Sequence, residues 1–219
     1  MVSISHAVED IVKHRPYLSE ALAAGIINVS ALARQLQPEV ERILQKEINT
    51  GAIVMSLNRL APYLQVREQM QLNKLLNNMG DIILRSNLCD YTFKNSATLL
   101  ECHIEVLKNL VKNEEIFYTL VQGVFETNLV VSNTMEEVIG DYFKNEVCLF
   151  KQNDLSSVTL KLPKGNSLQP GFYYTIMKEL SWEGINLTEV ISSTNEFTVV
   201  VDNSLIDKTF VVLKNIGKR

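Results

Sequence analysis

The chain repeats itself at a spacing of 70 residues, and this repeat limits the possible folds more than any single motif does. Leu129-Val130-Val131-Ser132-Asn133-Thr134-Met135 matches Val199-Val200-Val201-Asp202-Asn203-Ser204-Leu205 in pattern, an offset of 199 − 129 = 70. The same offset pairs Leu107 with Met177, Leu110 with Leu180, Leu120 with Val190 and Val121 with Ile191. Apolar positions that keep one register over so long a span mark two copies of one structural unit. Each copy reads as strand, helix, strand, strand, helix, with a further strand available. In the first copy the pieces are Leu88–Phe93, Ala97–Lys112, Ile116–Gln122, Phe125–Val131, Met135–Phe143 and Val147–Lys151. In the second they are Ser157–Leu162, Gly171–Trp182, Ile185–Ser192, Glu196–Val201 and Leu205–Ile216. A βαββαβ order predicts a ferredoxin-like plan, an antiparallel sheet with two helices on one face. A helix that returns to its own sheet must end abruptly, and Gly184 supplies the residue that enters the left-handed conformation cheaply.

The segment before the repeat has a different texture. Residues 1–61 read as five short helices: Ile4, Val8, Ile11 and Val12 recur at helical spacing, and Pro16 stops that element. A short helix then runs to Gly25, Ser30 caps the next, and Pro38 opens "PEVERILQKEI" at a first-turn position. "AIVMSLNRL" is the last helix, ending before Pro62, and the final pair has the outline of a helix-turn-helix. The polar, Gln- and Asn-rich stretch 62–79 reads as a connecting helix. The organisation expected is a helical head over 1–61, the connector over 62–79, and two α+β units over 80–152 and 153–219.

Composition narrows the function classes. At 46 % hydrophobic and 21 % charged, the 219 residues are those of an ordinary globular chain. A net charge of −4 argues against a protein built mainly to hold nucleic acid. Cys89, Cys102 and Cys148 are dispersed, with no C-x-x-C, as suits a reducing cytoplasm. The start, MVSISHAVED, has neither a basic nor an apolar leader region, and no apolar run approaches the roughly 20 residues that span a bilayer. No signal peptide or membrane span is expected, and the location expected is cytoplasmic.

"QPGFYYTIMKELSWEGINLTEVISSTNEFTVVVD", from Gln169 to Asp202, resembles the ACT domains of aspartokinase regulatory regions. The residues that carry the likeness are Pro170-Gly171, Gly184-Ile185-Asn186-Leu187, Ser192-Ser193 and Glu196. It covers about 60 residues of the second unit. The first unit has "NSATLLE" in place of the Pro-Gly turn and "NEEIFYT" in place of Gly-Ile-Asn, so its assignment rests on the 70-residue offset. The head is similar to the helix-turn-helix-like heads that precede paired ACT domains in some uncharacterised bacterial and archaeal proteins. The chain lacks the Lys-Phe-Gly-Gly-type loop with which an aspartokinase cradles ATP. Its nine glycines come no closer than Gly165 and Gly171, so neither a P-loop nor G-x-G-x-x-G exists.

Other candidate chemistry is weak. His6 and His14 lie two turns apart with no converging ligands, and the adjacent Cys102 and His103 point in different directions on a helix, so no metal site and no nucleophile–base pair is expected. The pairs Glu114-Glu115 and Glu136-Glu137 fit helix ends rather than acid–base catalysis. No catalytic residue, metal or cofactor is expected. DNA contact would need a basic face. Residues 1–78 carry eight Lys or Arg and seven Asp or Glu, 8 − 7 = +1, and Arg59 is the one cation on the recognition-like helix.

What the resemblance implies is an amino-acid effector held between the loop entering a helix and the strand after Gly-Ile-Asn, often at a domain interface. The residues it points to are Gln169, Gly171 and Phe172 at the helix start, with Asn186, Ser192 and Ser193; helix N-terminal N–H groups suit a carboxylate. The expected function is a non-catalytic regulatory protein that senses a small molecule, an amino acid, through paired ACT units. It would form a homodimer through those units, and the 62–79 helix would relay the change to the head. The alternatives are a DNA-binding regulator controlled by the pair, a structural dimerisation module, and an aspartokinase-related regulatory subunit.

Overall fold

A computed structural model of the chain describes residues 2–110 and 116–216. It divides into two compact units, Met1–Lys74 and Leu75–Arg219. The first is helical: α1 (Ile4–Lys13), α2 (Pro16–Ala23), α3 (Val29–Leu44) and α4 (Thr50–Asn77). One apolar stripe from each helix closes a core containing Val8, Ile11, Leu22, Leu32, Leu36, Val40, Ile53 and Leu57.

Four helices therefore stand where five shorter ones were expected. Pro38 lies inside α3 and Pro62 inside α4, so neither marks a boundary. An interior proline removes a hydrogen bond and bends a helix. In α3, buried Leu32, Ala33 and Leu36 before Pro38 and Val40 after it keep one face on the core, which offsets that loss. The cap of α3 is Asn28 rather than Ser30: its Oδ1 accepts from the N–H of Ala31 at 3.0 Å. Side chains of α3 satisfy the turn that follows. Gln37 Nε2 donates to Ile48 O at 3.0 Å, the N–H of Ile48 donates to Glu41 Oε1 at 3.0 Å, and Thr50 Oγ1 donates to Gln37 Oε1 at 2.6 Å.

The second unit is α+β. Its elements are β1 (Ile82–Lys94), α5 (Leu99–Leu110), β2 (Tyr118–Gln122), β3 (Glu126–Ser132), α6 (Glu136–Tyr142), β4 (Cys148–Lys161), α7 (Phe172–Trp182), β5 (Glu189–Ser192), β6 (Glu196–Asp202) and α8 (Ile206–Lys214). Glu114, Glu115 and the expected end of a helix at Lys112 lie outside the described residues. The strands form one antiparallel sheet in the order β2-β3-β1-β4-β6-β5. Two complete βαββαβ units would need eight strands, and the structure has six because β1 and β4 each serve both copies. Residues 88–94 of β1 pair with β3, while 82–85 pair with 157–160 of β4. Residues 148–155 of β4 pair with β1, while 155–161 pair with β6. A strand of 13 residues is roughly 40 Å long, enough to run through two half-sheets. The expected division between 152 and 153 thus falls inside one continuous strand.

The middle of the sheet is buried on both faces. On the helix side, Cys89, Tyr91, Phe93, Leu129 and Val131 pack on Leu99, Val106, Ile139 and Phe143. In the second copy Phe172, Ile176 and Leu180 of α7 and Val212 and Leu213 of α8 are buried, as are Val158, Leu160, Phe197, Val199 and Val201 of the sheet. On the opposite side Leu88, Val130, Leu155 and Val200 form a small cluster covered by Phe117 and Ile191. Gly184 ends α7 as expected: its φ is +67°, its N–H bonds to Ser181 O at 3.0 Å and that of Ile185 to Leu180 O at 3.0 Å. Among the described residues no helix is long and apolar enough to cross a membrane.

Candidate functional site

Alternation along β1 aims Cys89 and Tyr91 at the helices and Leu88, Asp90 and Thr92 at the helix-free face. The same alternation places Phe150 and Gln152 of β4 on that face. The chain segment entering β5, Asn186 to Glu189, stands opposite them. Asp90, Thr92, Phe150 and Gln152, with that segment, Asp202 and Leu205, line a cleft of about 500 Å³. Its position follows from sheet curvature, because Glu189 on the edge strand β5 reaches the side chain of Asn128 on β3, with three strands between them.

The polar centre of the cleft is a carboxylate–amide–carboxylate bridge. Asn128 Nδ2 donates to Asp90 Oδ1 at 2.7 Å and to Glu189 Oε1 at 3.0 Å. Ionised carboxylates only accept, so the amide must turn its NH₂ toward them. Asp90 is 2 % exposed. Burial pushes its carboxyl above the ordinary aspartate range, against the Asn128 amide and the Tyr91 N–H, which favour the charged form. Burial likewise raises Glu189, aided by the charges of Asp90 and Glu126. Asp202 is held below the usual range by the hydroxyl and N–H of Ser204, which hydrogen-bond its Oδ1 at 2.6 and 2.9 Å. Three carboxylates and no Lys or Arg line the cleft. That charge balance suits a ligand carrying an ammonium group, with the side chains of Asn186 and Thr188 lining the same cleft.

The six residues expected to bind a ligand do not come together. Asn186 lines the cleft. The other five lie at the start of α7 and at the β5–β6 hairpin. Phe172 is fully buried in the core, and its N–H bonds to Gln169 O at 3.4 Å. Gly171 takes φ +84° as it leads into α7. Gln169 Nε2 contacts its neighbour, Pro170 O, at 3.4 Å. Ser192 Oγ is 3.1 Å from Tyr173 OH, which also reaches the buried Asn166, and Asn166 Nδ2 donates to Pro163 O at 3.0 Å and to Thr194 O at 2.9 Å. Ser193 is exposed, its N–H closing the hairpin on Glu196 O at 2.9 Å. This second group ties the loop before α7 to the hairpin tip. In the head, Arg59 Nη2 donates to Ser5 Oγ of α1 at 2.9 Å.

Sequence reasoning missed Asp90, Asn128 and Glu189. One signal was available for Asp90: an acid inside the apolar run Leu88-Cys89-Asp90-Tyr91 must be satisfied or functional. Among the described residues no group of His, Cys, Asp and Glu is arranged to hold a metal ion.

No family model and no curated protein matches the sequence. Solved structures do match the fold. Aspartate kinase from Clostridium acetobutylicum aligns with a TM-score of 0.53 at 15 % identity, over 64 % of this chain and 35 % of the kinase. This chain therefore spans about a third of that enzyme's length. A structure of aspartokinase alpha and beta subunits aligns with a TM-score of 0.51 at 14 % identity, over 64 % of this chain and 99 % of the other. The ligand-free regulatory subunit of aspartate kinase from Thermus thermophilus aligns with a TM-score of 0.50 at 10 % identity, over 63 % and 98 %. Across about two thirds of its length this chain has the ACT-containing fold of aspartokinase regulatory regions.

Proposed function

We propose that the chain is a non-catalytic regulatory protein whose sheet-bearing unit senses an amino acid in the cleft between β1, β4 and the entry to β5. The observation that carries this reading is the bridge from Asp90 through Asn128 to Glu189, which puts two carboxylates beside Asn186 in a space of amino-acid size. An α-ammonium group satisfies those carboxylates, and the fold shared with aspartokinase regulatory regions supports an effector role. Binding at this cleft joins β5 of the second copy to β1 and β4, so it favours one packing of the sheet over another. Regulation needs that difference in affinity between two arrangements.

Self-association through the same unit is part of the reading. Leu100, Ile104 and Leu107 are exposed along α5 at helical spacing, a face that a second copy would cover. Light scattering checks it, with a dimer expected at micromolar protein.

Thermal-shift screening of the twenty amino acids tests the effector. A binder stabilises the folded state by RT ln(1 + [L]/Kd), about 2.7 kcal/mol at a hundredfold excess over Kd. The expected result is a shift with one or a few amino acids, lost in Asp90→Asn. No shift at millimolar concentration would refute amino-acid sensing.

A further inference from the structure

The register of the sheet is two-fold symmetric, and this gives every cleft residue a counterpart. Leu88 pairs with Leu155 across β1 and β4, and each follows a residue with left-handed backbone, Asn87 and Asp154, so 155 − 88 = 154 − 87 = 67. The pairs Thr119↔Val130 and Glu189↔Val200 set the other offset, 200 − 130 = 70. The counterparts of Gln152, Leu187 and Asp202 are therefore Arg85, Phe117 and Ser132. In the open half those first three line the cleft.

In the other half the counterparts touch each other. The Phe117 ring packs against the cluster of Leu88, Val130, Leu155 and Val200. The Arg85 guanidinium carbon lies 6.0 Å from the centroid of that ring. The Phe117 N–H donates to Ser132 Oγ at 2.9 Å, and the Ser132 N–H donates to Phe117 O at 3.0 Å. The polar recognition groups are gone from this half as well. Thr119 replaces Glu189, and Ser157 replaces Asp90, with a buried hydroxyl that has no hydrogen-bond partner.

We infer that Phe117 is a built-in occupant of the second cleft. The chain offers one effector site rather than two, and an effector seated in the open cleft draws Asn186–Glu189 onto the sheet as Phe117 holds residues 116–119. The inference rests on the open cleft being the effector site. It also makes a claim about the protein alone: a phenylalanine at 187 fits the open cleft as Phe117 fits its own.

Leu187→Phe in the full chain tests this. The melting temperature is expected to equal or exceed that of the wild type, because the ring fills a cleft rather than lying in water. Amide exchange of Thr188, whose N–H donates to Val200 O at 2.8 Å, is expected to slow. Any thermal shift that an amino acid gives the wild type is expected to be lost. The reverse change, Phe117→Leu, is expected to lower the melting temperature and speed exchange over 117–119. A destabilised Leu187→Phe with unchanged or faster exchange at Thr188, or a Phe117→Leu chain indistinguishable from wild type, overturns the inference. If no amino acid shifts the wild type, amino-acid sensing fails, and the melting and exchange comparisons still decide whether Phe117 plays the occupant.

Discussion

Replacing Asn128 by alanine removes both donors of the central bridge, and the cost follows from what each carboxylate loses. Asp90 is 2 % exposed, and its bond to Asn128 is 2.7 Å long. A hydrogen bond to a charged, buried acceptor contributes about 1.5–3 kcal/mol net. The bond to Glu189 is 3.0 Å, and that carboxylate is partly exposed, so solvent screening reduces it to roughly 0.5–1 kcal/mol. The sum is about 2–4 kcal/mol, or on the order of 5–15 °C in melting temperature for a unit of this size. Urea unfolding followed by Trp182 emission isolates the effect, because the chain's one tryptophan lies in the sheet-bearing unit. The loss must also depend on pH. Removing the amide takes away a group that favours ionised Asp90, so the carboxyl rises further. The cost is largest at neutral pH and shrinks as acidification protonates Asp90. A loss below about 0.5 kcal/mol, or one constant from pH 4 to 8, would refute the bridge as the organising contact of the cleft.

Four further outcomes follow from the structure. Both Asp90 and Glu189 are raised, so their contribution to stability is present below the ordinary carboxylate range and is lost as pH rises through the raised values; Asp90→Asn is expected to flatten that decline in melts between pH 4 and 7. For the same reason a cationic effector displaces protons as it binds, and its affinity, read by calorimetry in buffers of different ionisation enthalpy, is expected to fall with acidification. Ser157→Ala is expected to leave stability unchanged or raise it by up to about 1 kcal/mol in urea unfolding, since the hydroxyl it removes is buried without a partner. Gly184→Ala is expected to cost roughly 1 kcal/mol through backbone strain alone, because φ is +67° and an added Cβ meets no atom within 4 Å.

Much of the fold was legible because it is written in local chemistry. The 70-residue offset survives in the structure as matched pairings of β2 with β3 and of β5 with β6. Gly184 stops α7 where a left-handed residue is needed, and Asn186 lies in the cleft. The structure departs from the local reading where packing overrides local preference. Pro38, read as opening a helix, and Pro62, read as ending one, both lie inside helices, because a helix can carry a proline when its apolar face is held on both sides of it. Phe172, expected at the helix start of a ligand site, opens α7 with its side chain buried in the core, since a Pro-Gly turn constrains the backbone but not the direction of the next side chain.

The sequence by itself determined the repeat, the strand–helix order of each copy, the helical character of the head and the absence of a nucleotide-binding glycine loop. Each of these is a property of neighbouring residues or of period. The tertiary structure alone decided that β1 and β4 are shared, that the sheet curls, and that Asp90, Asn128 and Glu189 meet. These three are separated by 128 − 90 = 38 and 189 − 128 = 61 residues and lie on three strands. No local rule brings them together: hydrogen-bond register and sheet curvature set their distance, and those depend on the whole sheet.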